Sequence, residues 1–259
     1  RTAVNDQAGA KTGLASIISA LLIILTLLFL TTYFYYLPNT VLAAIILVAV
    51  YGLIDFKEAK HLWHTDKTDF YLFIAAAIGT LILGIEEGIL LGVLLSMIIL
   101  IYRVSYPHVA ELGRIGNGTT FRNIARFADA KIDDHIVIMR FDAQLYFANV
   151  NFFRDKVADL IKKRKQATHF ILDASAISTV DSSALHMLHD LIGDLKSSGV
   201  HFMIANMIGP VRDTLTKGGI ISMIGKEHCF VSVLSAYELA SNEIKNEAVD
   251  FATQTLIKH

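Results

Sequence analysis

The stretch Ile171-Leu-Asp-Ala-Ser-Ala-Ile-Ser-Thr-Val-Asp-Ser-Ser-Ala-Leu185 reads as one structural unit. With His169 and Phe170 it opens as an apolar run of the kind that forms a buried strand. A short polar loop follows, and Asp181 then stands where a helix N-cap is expected, with Ser182 and Ser183 in the first turn. Leu185, Leu188, Ile192 and Leu195 continue at helical spacing. A strand that hands over to a helix in this way is half of a βα repeat, and the question becomes how far the repeat extends.

It extends in both directions. Upstream, Ile136–Phe141 is β-rich and Leu145–Phe147 reads as a short second strand. The next helix carries Val150, Phe153, Val157 and Leu160 on one face and ends in Lys162-Lys-Arg-Lys165, cations that suit a helix C-terminus. Downstream, Val200–Ala205 is another strand, Gly209-Pro210 opens a third helix ending near Gly218-Gly219, a last strand falls near Phe230, and a helix starts at about Val233. Repeated βα units imply an α/β domain around a largely buried sheet, here residues 131–259.

The remainder of the chain is different matter. Of 23 Lys/Arg and 24 Asp/Glu in 259 residues, only five basic and seven acidic residues lie before Arg103. Between Lys11 and Asp55 there is no charged side chain. That span is long enough for two crossings at about 20 residues each, divided at Tyr33-Phe-Tyr-Tyr-Leu-Pro-Asn39, where turn formers sit among interfacial tyrosines. Helices are expected at about Gly13–Thr32 and Pro38–Ile54, and two shorter ones at about Phe70–Leu83 and Gly88–Tyr102. Residues 1–103 are thus read as a membrane body, with residues 104–130 as a polar linker marked by Pro107 and the Gly116-Asn-Gly118 turn signal. A buried soluble core would account for such helices only if they lacked a polar face over their whole length.

Sidedness follows from the basic residues. Lys11, the Asp55–Asp69 loop with Lys57, Lys60 and Lys67, and the exit at Arg103 share one face of a four-crossing arrangement. The positive-inside rule puts that face, and the α/β domain after it, in the cytoplasm. One cysteine, Cys229, rules out an intrachain disulfide and is expected to be a buried small hydrophobe. A formal charge of -1 argues against nucleic-acid binding. No Walker-type loop, no GxGxxG after a strand and no nucleophile–base pair stands out, so no enzyme is expected. His186 and His189, three apart beside Asp190, are two imidazoles without a third ligand, which fits a solvated helix face better than a metal site. Glu86 and Glu87 interrupt the second apolar run at a membrane boundary. They are either carboxylates in an exposed turn or candidate gating groups.

Asp173-Ala-Ser together with Val180-Asp-Ser-Ser183, within this βα pattern, resembles a STAS domain, the sulfate-transporter and anti-sigma-antagonist module. Behind hydrophobic helices it looks like the C-terminal half of a sulfate permease (SulP) family anion transporter. Arg1-Thr-Ala-Val-Asn5 with Gly9-Ala-Lys-Thr-Gly13 resembles that family's segment entering its tenth and eleventh helices, and Leu37-Pro-Asn-Thr-Val-Leu-Ala-Ala-Ile45 the start of its twelfth. Tyr106-Pro-His-Val-Ala-Glu-Leu-Gly-Arg114 is similar to the family's connector into STAS. The resemblance implies the end of a 7+7 inverted-repeat secondary transporter followed by a cytoplasmic α/β STAS domain, and the initial Arg in place of Met fits a piece of something longer. In such folds half-helix N-termini face the anion. By resemblance Arg1 and Thr2 lie at one such end, as substrate-binding residues. The Gly13 helix would belong to the transport core, and the helices from Pro38 onward to the gate domain that forms dimer contacts.

The expected activity is transport of an inorganic anion across the plasma (inner) membrane, sulfate first, with bicarbonate or a dicarboxylate as alternatives. The coupling ion would be H+ or Na+, with no other cofactor and no resident metal. Expected partners are the bilayer, a second copy in a homodimer, and a cytoplasmic protein at the STAS domain, which could itself be chiefly a signalling module. Asp181, Ser182 and Ser183 are the candidate regulatory residues, because phosphate on either serine would sit at a helix N-terminus, with plain capping as the structural alternative. Phospho-switching STAS modules usually carry Gly after Asp-Ser-Ser. Here it is Ala184, which argues against close docking of a kinase.

Overall fold

The computed structural model describes residues 9, 12–31, 38–51, 55–116 and 118–257. The chain divides into two units, Arg1–Leu95 and Ser96–His259.

In the first unit, α1 (Leu14–Phe29) is uncharged and has no buried residue. Helix α2 (Asn39–Tyr51) starts directly after Pro38, whose carbonyl accepts from the Val41 and Leu42 amides. The stretch read from sequence as an Asp55–Asp69 loop is instead mostly helical: α3 runs from Phe56 to Thr65. Its start is fixed by Asp55, whose carboxylate accepts from the Lys57 and Glu58 amides at 3.0 and 2.9 Å. Asp66 then caps α4 (Lys67–Leu83) by accepting from the Thr68 amide at 2.8 Å. The expected turn over Gly84–Gly88 shrinks to Gly84 alone, at φ 111°, and α5 (Ile85–Ser105) begins at the next residue. Glu86 and Glu87 occupy its first turn, where the helix dipole favours carboxylates and no longer turn is required.

Helices α4 and α5 pack back on each other through small residues. A Cβ on Gly88 would lie 2.6 Å from the Thr80 backbone nitrogen, and one on Gly92 would lie 3.3 Å from the Ala76 methyl. Gly88/Gly92 against Ala76/Thr80 is a small-xxx-small contact on both helices. Among the described residues, α5 with 21 residues is the one helix long and apolar enough to cross a bilayer by length and composition. At 16 residues, α1 spans only about 24 Å. The expected helix at Gly13–Thr32 ends at Phe29, and residues 32–37, with the expected tyrosine belt, lie outside the described residues.

In the second unit, strands β1 (Val109–Ile115), β2 (Phe121–Asn123) and β3 (Ala130–Lys131) form where a polar linker over 104–130 was expected. Ala110 and Leu112 are buried while Glu111 points the other way, so one apolar face suffices and the polar half of the alternation hid it. Strand β4 (Ile136–Phe141) pairs antiparallel with β1 and parallel with β5 (His169–Asp173), which pairs parallel with β6 (His201–Ala205) and that with β7 (Cys229–Phe230). The sheet order is β2-β1-β4-β5-β6-β7, with β3 beside β1. The strand expected at Leu145–Phe147 is a single bridge from Leu145 to Val180.

The intervening helices are α6 (Val150–Lys163), α7 (Ser182–Ser197), α8 (Gly209–Lys217) and α9 (Ile220–Ile224), and α10 (Val233–Ile257) is the last described element. Period-2 alternation sorts the sheet residues between two cores. Val137, Met139, Phe141, Phe170 and Leu172 pack under α6–α9. Ile136, Ile138, Ile171 and Met203 pack under α10, against Val233, Ala236 and Ala240. The parallel strands therefore all end at one edge, where the loops carrying Asp142, Asp173 and Asp181 emerge.

Candidate functional site

Asp173 is the last residue of β5 and is 6% exposed. Its Oδ1 accepts from the Ser175 amide at 3.1 Å and from Asn206 Nδ2 at 2.9 Å. Asn206, at the end of β6, has φ 58°, a left-handed conformation that Asn tolerates better than most residues. Asp173 thus fastens the start of the loop. At the loop's end, Asp181 caps α7 as expected, its Oδ1 accepting from the Ala184 amide at 2.8 Å. Its Oδ2 accepts from the Phe147 amide at 2.9 Å, a bond across 34 residues that no local pattern announces. The Leu145 amide donates to the Thr179 carbonyl, and the Asp181 amide donates to the Leu145 carbonyl. Ser182 is exposed and Ser183 half-buried. Leu185, His186, His189 and Gly218 join Ser182 around a shallow cavity of about 350 Å³.

The loop that Asp181 grips, residues 142–149, is held at its other side by the chain leaving α5. Asn149, 1% exposed, donates from Nδ2 to the Gln144 carbonyl at 2.8 Å and to the Val104 carbonyl at 3.4 Å. Tyr106 packs edge-on to Phe152 at 5.3 Å between ring centres. Asp142 takes a two-pronged bond from Arg140, 2.6 and 3.0 Å, and a third contact from His108 Nδ1 at 2.7 Å. Burial alone would raise the Asp142 carboxyl, but the hydrogen bonds from Arg140 and His108 outweigh it, and the group titrates below its ordinary value. The Arg140 guanidinium is held further up, chiefly by its bond to Asp142. Sequence reading had no signal for Asn149, Asp142 or His108 as a cluster, because their partners come from separate elements.

Among the other sequence candidates, Arg1 and Thr2 lie outside the described residues. Glu86 and Glu87 are exposed on the first turn of α5, remote in sequence from the Asp181 loop. Among the described residues there is no group of three or more His, Cys, Asp or Glu that could hold a metal, and His186 and His189 sit on the exposed face of α7. Cys229 is only half-buried, its thiol 3.6 Å from the Gly225 carbonyl and held in the protonated form first by burial and then by Glu227.

Residues 1–76 match the sulfate permease family, and residues 127–236 match the STAS domain. The chain is 38% identical to the probable sulfate transporter 4.2 of Arabidopsis thaliana, the alignment covering 92% of the chain and 37% of that protein. It is 35% identical to the chloroplastic sulfate transporter 4.1 of the same plant, over 96% and 38% respectively. High affinity sulfate transporter 2 of Stylosanthes hamata is 32% identical, over 91% and 37%. The chain therefore spans well under half the length of these relatives. Among solved structures it resembles murine Solute Carrier 26 family member A9, an anion transporter in the inward-facing state, with TM-score 0.73 and 27% identity over 92% of the chain and 39% of that one. A second structure of SLC26A9 gives TM-score 0.72 and 25% identity, over 93% and 41%. With apolar helices running into an α/β domain whose cap residues are those the resemblance singled out, the chain is similar to the sulfate permease family over residues 1–76 and to a STAS domain over residues 127–236.

Proposed function

We propose that the protein containing this chain moves an inorganic anion, sulfate foremost, across a membrane, and that the STAS domain regulates the movement. The observation that carries the regulatory half is the 142–149 loop, gripped by Asp181 at one side and by Asn149 to Val104, at the end of α5, on the other. A phosphate or a bound protein at Ser182 or Ser183 would act on the Asp181 cap, and the same loop touches the residues that leave the membrane helix. Transport itself is supported by the family and by what the relatives are named for. Arg1 and Thr2 would meet the anion, with a proton or Na+ as coupling ion. Glu86 and Glu87 remain candidates for gating. The protein would not be an enzyme; it would sit in the plasma membrane as a homodimer with its STAS domain cytoplasmic, on the side of Lys57, Lys60, Lys67 and Arg103. Bicarbonate or a dicarboxylate is the second substrate reading.

Uptake of labelled sulfate, bicarbonate and fumarate by the full-length protein in proteoliposomes tests this. Sulfate uptake is the expected result, and absence of flux for all three anions would sink the proposal. In the same system Asp181→Ala and Ser182→Ala are expected to change flux. If they alter capture of a cytoplasmic partner while flux stays the same, the domain signals and does not gate.

A further inference from the structure

Helix α3, missing from the sequence reading, is two-faced along its ten residues. At about 100° per residue, Phe56, Ala59, Leu62 and Trp63 share an arc of roughly 120°, and Lys57, Lys60, His61 and His64 fill an adjoining arc of roughly 100°. Glu58 stands apart on the remaining side, next to Thr65. The carboxylates at the two ends are turned to backbone: Asp55 accepts from the Lys57 and Glu58 amides and Asp66 from the Thr68 amide. A cationic strip beside an apolar one, on a helix with low overall hydrophobicity, is the form of a helix lying along a membrane surface.

Among the described residues the apolar strip does not close against a protein core. Phe56 is 65% exposed and Trp63 45%. Trp63 instead leads into the first turn of α4, its ring edge-on to Phe70 at 4.9 Å and to Tyr71 at 6.5 Å. Tyr71 is itself exposed, and below it α4 presents Phe73, Ile78, Leu81 and Ile82 outward. The apolar face of α3 is thus continuous with the outward face of a membrane-family helix through an aromatic cluster of the kind found at headgroup depth. Lys67 Nζ lies 5.8 Å from the Trp63 ring centre, so a cation and an aromatic ring meet at that level.

We infer that α3 is a surface-lying anchor that binds anionic phospholipid headgroups, with Phe56 and Trp63 set into the acyl boundary and Lys57, Lys60, His61 and His64 against the phosphates. The occupant is the lipid leaflet and not a protein, because the basic strip complements anionic headgroups and the apolar strip runs on into the bilayer-facing surface. The inference is independent of which anion is carried.

Trp63 is the one tryptophan in the sequence, which makes it a reporter for this helix. The full chain is reconstituted in phosphatidylcholine vesicles containing about one-third phosphatidylglycerol, and tryptophan emission is read with bromine placed on the acyl chains of one lipid or the other. Blue-shifted emission is expected, quenched more per molecule by brominated phosphatidylglycerol than by brominated phosphatidylcholine. Lys57→Gln with Lys60→Gln is expected to keep the quenching and bring the ratio of the two lipids to about one, since each lysine near the surface attracts anionic lipid. Phe56→Ser is expected to red-shift the emission while circular dichroism stays the same. Red emission without quenching in the unaltered chain would overturn the inference and assign the face to protein. A ratio of one in the unaltered chain would overturn the headgroup preference.

Discussion

In α1 no side chain is buried, and in α4 and α5 the buried positions are Gly79 and Gly88. Strands β4 and β5, by contrast, bury ten of their eleven residues. The same side chains, Leu, Ile, Val and Phe, fill both regions. In the STAS domain they are removed from water by each other, so each contributes cavity-sensitive packing energy. In the membrane body they face outward, where lipid is as apolar as leucine, and cohesion rests on glycines that let backbones approach. Apolar content therefore says nothing about where stability resides. Its direction does.

The sharpest way to break this contrast is to cut one apolar side chain back to alanine in each region. Phe153 on α6 is fully buried, its ring 5.1 Å from that of Phe141. Phe153→Ala should destabilise the STAS domain by about 3–5 kcal/mol, read as a loss of hydrogen-exchange protection across β4 and β5 in the reconstituted chain. Leu94→Ala on α5, at a residue 50% exposed, should cost less than about 0.5 kcal/mol. Comparable losses at the two sites would mean that α5 is packed against protein along that face.

The next test inverts the size change. In α5, Gly88→Ala pushes a methyl into the Thr80 backbone, whereas Gly92→Ala meets the Ala76 methyl, which can give by a few tenths of an ångström. Gly88→Ala should therefore loosen the α4–α5 hairpin by about 1–3 kcal/mol and Gly92→Ala by clearly less, measured as cross-linking between cysteines placed on the two helices. If the two variants behave alike, close backbone approach is not what holds this pair.

How much of this could be seen in the sequence follows the same contrast. The βα order, the core faces of α6 and α7 and the Asp181 cap were legible because each is written in contiguous periodicity and a local capping signal. Helix α3 was not, because Lys57, Glu58, Lys60, His61 and His64 look like loop residues until the arc of Phe56, Ala59, Leu62 and Trp63 is traced round them. Strands β1–β3 were read as linker, since half their residues are polar and β3 has only two residues. The site was half legible. Asp181, Ser182 and Ser183 announce themselves as a helix start, but Asp181 to Phe147 spans 34 residues and Asn149 to Val104 spans 45. Bonds of that reach depend on the fold having formed.

The smallest effect separates the units by charge. The Asp142 carboxyl is held below its ordinary value of about 3.9 by Arg140 and His108, against the opposing pull of burial. A depressed carboxyl means that the unfolded chain takes up a proton first as pH falls. The stabilisation is then complete above about pH 5 and is lost as pH drops through the folded value. Because both partners are partly solvent-exposed, the amount should be no more than about 0.5 kcal/mol. Protection of the β1 and β4 amides should accordingly decline between about pH 5 and pH 3, and Asp142→Asn should flatten that decline while lowering protection at pH 7. Ile89–Leu95 of α5 lies in the first unit, contains no titratable side chain and supplies the internal control, with exchange corrected for its intrinsic pH dependence. A decline of equal size in α5 would show that acid acts on the chain as a whole and not through Asp142. The two units would then share one stability and not hold separate ones.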